Sequence, residues 1–64
     1  MKGHYEKQFL GQKGPEPWGP ITEQRVRDQL AHDYLLPSLV MDLLHEGQIV
    51  RTVFAQYRFI REEN

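Results

Sequence analysis

The chain contains no cysteine, so neither disulfides nor a thiolate zinc site can supply the stability that a small domain needs. No apolar run approaches the ~20 residues of a membrane-spanning helix, and no secretory h-region is present. Nor is there an excess of one charge. Eight Lys and Arg against nine Asp and Glu give a net charge of −1, which does not single out a polyanionic partner. The only serine, Ser38, falls in the first turn of an expected helix, a stabilising position rather than that of a nucleophile. Gly11, Gly14 and Gly19 are interrupted by prolines and lack the Lys-Ser/Thr ending of a phosphate loop. These absences argue against catalysis and against a cofactor, and they are compatible with a cytoplasmic protein that has no membrane partner.

What is present suits one folded domain spanning 1–64. Hydrophobic residues make up 39% and charged residues 27% of the 64 positions, a globular composition. A chain this short buries only about 60% of its unfolded surface, so each core residue matters. Residues 3–10 place Tyr5 and Phe9 on one face of a strand, although Lys7 between them breaks the apolar alternation. Residues 11–20 hold three of the five glycines and three of the four prolines. That density predicts a loop, so 1–20 reads as a strand followed by a Pro/Gly-rich connection.

Residues 21–47 predict two helices. Thr22 suits an N-cap, Glu23 suits the first turn, and Ile21 and Val26 stand at the two positions of a hydrophobic staple. This helix runs from Glu23 to about Ala31 with Val26 and Leu30 inward. Pro37 suits the first turn of the second helix and Gly47 the left-handed residue beyond its end. Leu39, Val40, Leu43 and Leu44 form its wide apolar stripe. Residues 48–62 are rich in β-branched and aromatic side chains, which predicts a hairpin or one bent strand. Turning near Phe54 and Ala55, the hairpin would pair Thr52 with Tyr57 and Val50 with Phe59. It would also set Arg51 opposite Arg58, an unfavourable pair without an anion.

The runs Ile21-Thr22-Glu23-Gln24-Arg25-Val26 and Leu43-Leu44-His45-Glu46-Gly47-Gln48-Ile49-Val50-Arg51, with Tyr57-Arg58-Phe59-Ile60-Arg61 returning, resemble a winged helix-turn-helix domain lacking its first helix. The resemblance covers about residues 21–61. It implies an α+β fold in the order β-α-α-β-β, with two helices packed on a three-stranded antiparallel sheet. It also implies a DNA-binding or transcription-associated regulator. A second stretch, Trp18-Gly19-Pro20-Ile21-Thr22-Glu23 with Val26, Leu30 and Leu36-Pro37, is similar to bacterial GYF-like domains, which bind proline-rich peptides on an aromatic surface.

Two sets of candidate residues follow. For nucleic acid, the segment 48–61 carries Arg51, Arg58 and Arg61 with no acid, and Arg25 and Arg27 lie on the first helix. Against this, residues 37–46 present Asp42 and Glu46 and no Lys or Arg, opposite in character to a DNA-reading helix. The alternative is therefore a protein-interaction module or small inhibitor that binds through Trp18 and the acidic helix, with Asp42, His45 and Glu46. The spacing of Asp42, His45 and Glu46 is one that metals use, but such sets are common by chance and no metal site is assigned. A homodimer is compatible with so small a core. The expected core comprises Tyr5 or Phe9, Trp18, Ile21, Val26, Leu30, Leu39, Val40, Leu43, Ile49, Val53, Tyr57 and Phe59.

Overall fold

In the computed structural model, which describes residues 2–62, the Pro/Gly-rich stretch carries two short strands, at 14–15 and 19–21, that form an edge of the sheet between irregular residues. Strand β1 (Gly3–Gly11) turns through Gln12 and Lys13 into β2 (Gly14–Pro15), and β3 (Gly19–Ile21) continues along the same side of β1. Gly14 makes the turn with φ +108°, a conformation that costs glycine little. Leu10 pairs with Pro15 but Lys7 with Gly19, so the register moves by one residue between β2 and β3. Pro17 and Trp18 thus both oppose Gln8, as in a β-bulge.

The prolines fit this edge for a simple reason. Glu16 donates to the Phe9 carbonyl at 3.1 Å, so the neighbouring Pro15 turns its donorless nitrogen outward. In β3, Tyr5 and Lys7 oppose Ile21 and Gly19, which leaves Pro20 outward by the same alternation. An edge whose outward positions lack N–H groups is a poor template for another strand.

Helix α1 (Glu23–His32) starts as its sequence predicts. The Arg25 amide donates to Thr22 Oγ1 at 3.3 Å. Helix α2 (Pro37–His45) has no side-chain cap and begins on Pro37. It ends on Gly47 at φ +93°, where the Gln48 and Gly47 amides donate to the Leu43 and Leu44 carbonyls at 3.1 and 3.0 Å. Helix α1 ends with the same pair of bonds, from Leu35 to Leu30 and from Tyr34 to Ala31, both 3.0 Å. There the left-handed residue is Tyr34, φ +59°. A bulky side chain in that conformation is strained by about 1–2 kcal/mol. Tyr34→Gly should therefore raise stability by about 0.5–1 kcal/mol after the larger chain entropy of glycine is counted. A thermal melt shifted upward by a few degrees would show it; no shift, or a fall, would mean that Tyr34 packs in solution.

The chain closes with β4 (Val50–Arg51) and β5 (Ala55–Arg61). The sheet is antiparallel with five strands in the order β2-β1-β5-β4, and β3 also pairs with β1. It therefore has two strands more than the three-stranded expectation, both from the Pro/Gly segment. The hairpin register also differs by two residues. Val50 pairs with Tyr57 and Arg51 with Gln56, while the Thr52 amide donates to the Ala55 carbonyl at 2.7 Å. Moving the turn to Val53-Phe54 takes Arg51 out of opposition to Arg58.

Both helices cover one face of the sheet, where Tyr5, Val26, Leu30, Val40, Met41, Leu44, Ala55 and Tyr57 form the buried core with Ile21, Val50 and Phe59 against it. Lys7 lies on this face too, which explains the broken alternation. Its ammonium lies 5.8 and 5.9 Å from the ring centres of Phe9 and Tyr57 and donates to Gln29 Oε1 at 2.7 Å. The Tyr57 hydroxyl donates to the same oxygen at 2.8 Å. Several expected core residues are elsewhere. Leu39, Leu43, Ile49, Val53 and Phe9 are exposed, and Trp18 is half-buried on the opposite side of the sheet.

Candidate protein-interaction surface

The five arginines proposed for nucleic acid do not share one surface. Arg51 opposes Gln56, and Arg58 opposes Glu6, both on the sheet face that carries no helix. Arg61 lies at the end of β5 on the helix side, its guanidinium 3.5 Å from the His45 carbonyl. Arg25 and Arg27 are on α1, and Arg27 is paired with Glu23 at 3.3 Å. Arg58 is engaged on two sides. Its guanidinium lies 2.7 Å from Glu6 and 4.0 Å from the centre of the Trp18 ring, an ion pair topped by a cation–π contact. A phosphate would have to compete with both.

Glu6 also meets His4 at 3.1 Å, and His4 meets Glu62 at 3.2 Å. A ladder Trp18–Arg58–Glu6–His4–Glu62 thus crosses the open face. The Arg58 and then the His4 hydrogen bond hold the Glu6 carboxyl below its usual range, while Glu6 and then Glu62 raise His4 above its ordinary 6.5. The two shifts act on opposite sides of neutrality. The Glu6 contribution is present above the ordinary carboxylate value of 4.5 and is lost as pH falls through its depressed value. The His4 contribution is complete below 6.5 and is lost as pH rises through its raised value. Unfolding by urea across pH should therefore show the ladder strongest between about pH 4.5 and 6.5. His4→Gln should flatten the alkaline slope and Glu6→Gln the acidic one. Slopes identical to the unsubstituted chain would show that the ladder is open in solution.

The acidic-helix set divides as well. His45 turns inward: its Nε2 is 2.6 Å from the Tyr5 hydroxyl, which also lies 3.4 Å from Glu23 Oε1. With Nε2 protonated, His45 donates to the Tyr5 oxygen while that hydroxyl donates to Glu23. The His45 ring packs edge-on against Phe59 at 5.0 Å. These bonds tie the start of α1, the end of α2 and β1 together. Burial, then the charge of Glu23, raises the Tyr5 pKa, so this phenol is not an activated one. Asp42 and Glu46 are exposed, apart from His45. Among the described residues no group of three or more His, Cys, Asp or Glu could hold a metal ion, and no helix is long and apolar enough to cross a membrane. Trp18 and the acidic helix lie on opposite sides of the sheet, so they do not form one site.

The surface that the structure assembles instead is apolar. On α2, Val40, Met41 and Leu44 point into the core, whereas Leu36, Leu39 and Leu43 lie outside, Leu39 at 60% exposure and Leu43 at 36%. At about 100° per residue, the two sets occupy adjacent arcs that together exceed half the helix circumference. The core and the sheet cover only one of them. His45 marks the flank toward α1 and β1, which leaves the leucines on the other flank, on the side of β4. Ile49, before β4, and Val53 and Phe54, after it, are exposed as well. Asp33, Leu35, Arg51, Thr52 and Val53 line a shallow groove of about 430 Å³ between the interhelix turn and the β4–β5 turn. Tyr34, 97% exposed, stands in the same interhelix turn.

The signal for this surface was in the sequence. Six apolar residues among positions 36–44 are more than a two-layer fold of this size can cover. The expected core takes Leu39, Val40 and Leu43 from this run, and the structure leaves Leu39 and Leu43 outside while burying Met41 and Leu44 beside Val40. No protein-family model, curated protein or solved structure matches the chain.

Proposed function

We propose that this chain is a non-catalytic module that binds another protein through the leucine flank of α2. The observation that carries the reading is the exposure of Leu36, Leu39 and Leu43 beside the buried Val40, Met41 and Leu44. Contiguous apolar surface on a small domain marks an interaction site. The charge pattern supports a protein over DNA. The same helix bears Asp42 and Glu46 and would repel a phosphate backbone, while Arg58 and Arg27 are already paired with carboxylates.

Affinity capture with three forms of the chain tests this: unsubstituted, Leu39→Ser/Leu43→Ser, and Arg51→Ala/Arg58→Ala. The expected result is a co-purifying protein that survives the arginine changes and is lost with the leucine changes, while both variants still melt cooperatively. Capture indifferent to the leucines overturns the reading. So does a low-salt gel shift on mixed-sequence DNA that disappears with the arginines, which would restore the nucleic-acid alternative.

A further inference from the structure

Resting on that reading, we infer that the occupant of the leucine flank is a basic amphipathic helix of a partner protein, with Tyr34 as an anchor at one end of the contact. The spacing of the leucines is the first reason. Leu36, Leu39 and Leu43 form a ridge at i, i+3 and i+7 about 10 Å long, and such a ridge packs between the side-chain rows of a second helix. An extended segment would instead use a sheet edge. Along the β2–β3 edge, proline occupies the outward positions of both strands.

Charge is the second reason. Glu46 and Asp42 follow Leu39 around the helix and α2 has no Lys or Arg, while at the interhelix turn Asp33 faces the groove that Arg51 also lines, so the acidic excess lies along the helix itself. A second copy of the same helix would set carboxylates against carboxylates. Lysines and arginines flanking an apolar stripe complement them, and such rim charges act on choice of partner and on association rate.

Tyr34 is the third. It keeps a left-handed backbone at φ +59° while its side chain is 97% exposed, so packing within the chain does not explain it. An aromatic held out from a strained turn next to Leu35 and Leu36 is suited to anchoring an interface.

The probes are three synthetic peptides of about 18 residues, long enough for five helical turns. One carries leucines at helical spacing among lysines, one has glutamates in place of the lysines, and one is a scramble of the lysine peptide. Binding of each, fluorescein-labelled, is followed by anisotropy against the full chain, with sedimentation velocity of the chain alone. The expected result is that the Leu/Lys peptide binds about tenfold more tightly than the other two at low salt, and that its advantage over the Leu/Glu peptide shrinks as salt rises. Leu39→Ser should remove this binding. Tyr34→Gly should weaken it several-fold while raising the melting temperature, a combination that a purely structural role would not give.

Equal or tighter binding of the Leu/Glu peptide overturns the basic partner but leaves the flank standing as a protein-binding face. Equal binding of the scramble, or binding indifferent to Leu39→Ser, overturns the helix-in-groove geometry. A dimer that dissociates on Leu39→Ser overturns the inference in favour of a second copy. No binding by any peptide overturns it outright, and the capture experiment above then decides whether the flank binds protein at all.

Discussion

Leu44→Ala should lower stability by about 2–5 kcal/mol, whereas Leu43→Ala, one residue earlier on the same helix, should cost about 1 kcal/mol or less. The contrast is geometric. Leu44 is 0% exposed and belongs to the core cluster, while Leu43 stays 36% exposed on the leucine flank. Removing a wholly enclosed side chain leaves a cavity that two helices and a sheet cannot collapse to fill. A partly exposed one leaves space that water enters. A domain of 64 residues has roughly 3–10 kcal/mol of stability at 0.05–0.15 kcal/mol per residue, so Leu44→Ala should leave much of the population unfolded at 37 °C. Urea titrations of both variants check this. Equal midpoints would mean that α2 is rotated about its axis so that Leu43 and Leu44 are buried alike, and the proposed binding flank would fall with it.

Tyr57→Ala should be at least as severe, at about 3–5 kcal/mol. The ring is 2% exposed beneath α1, and its hydroxyl donates to Gln29 Oε1 at 2.8 Å. That oxygen also accepts from Lys7, so deleting the ring opens a cavity under a half-buried ammonium and removes one face of its packing. Tyr57→Phe separates the two parts. It keeps the ring and loses one hydrogen bond, for about 0.5–1.5 kcal/mol. If the phenylalanine variant fell as far as the alanine one, the polar junction at Gln29 rather than ring burial would hold α1 on the sheet.

These two changes touch residues whose importance was unevenly legible. The place of Tyr57 in a β-branched and aromatic segment puts it in the core, because strand alternation leaves few alternatives once one face is buried. Leu44 shares its apolar stripe with Leu39, Val40 and Leu43, and nothing local ranks the four. The arginines show the same division. Their local surplus over residues 48–61 is plain in the sequence. That Arg58 is occupied by Glu6, 52 positions away, is invisible until β1 and β5 pair.

The sequence by itself determined what depends on neighbours within a turn or two. Thr22 with Arg25, the staple of Ile21 and Val26, Pro37 at the start of α2 and left-handed Gly47 at its end all act over a few residues. Both helices accordingly lie where these residues predict. Only the tertiary structure decided which arc of α2 is buried, because its apolar arc is wider than one neighbour can cover and the choice falls to the packing of β4, β5 and α1. Only pairing with β1 made an edge strand of the Pro/Gly segment, since proline is excluded from a central strand but not from outward positions at an edge. The two-residue shift of the closing hairpin has the same origin. The Thr52 amide and hydroxyl close the turn on the Ala55 carbonyl at 2.7 and 3.1 Å, and the Leu10 amide of β1 holds the Phe54 carbonyl at 2.8 Å, which together separate Arg51 from Arg58.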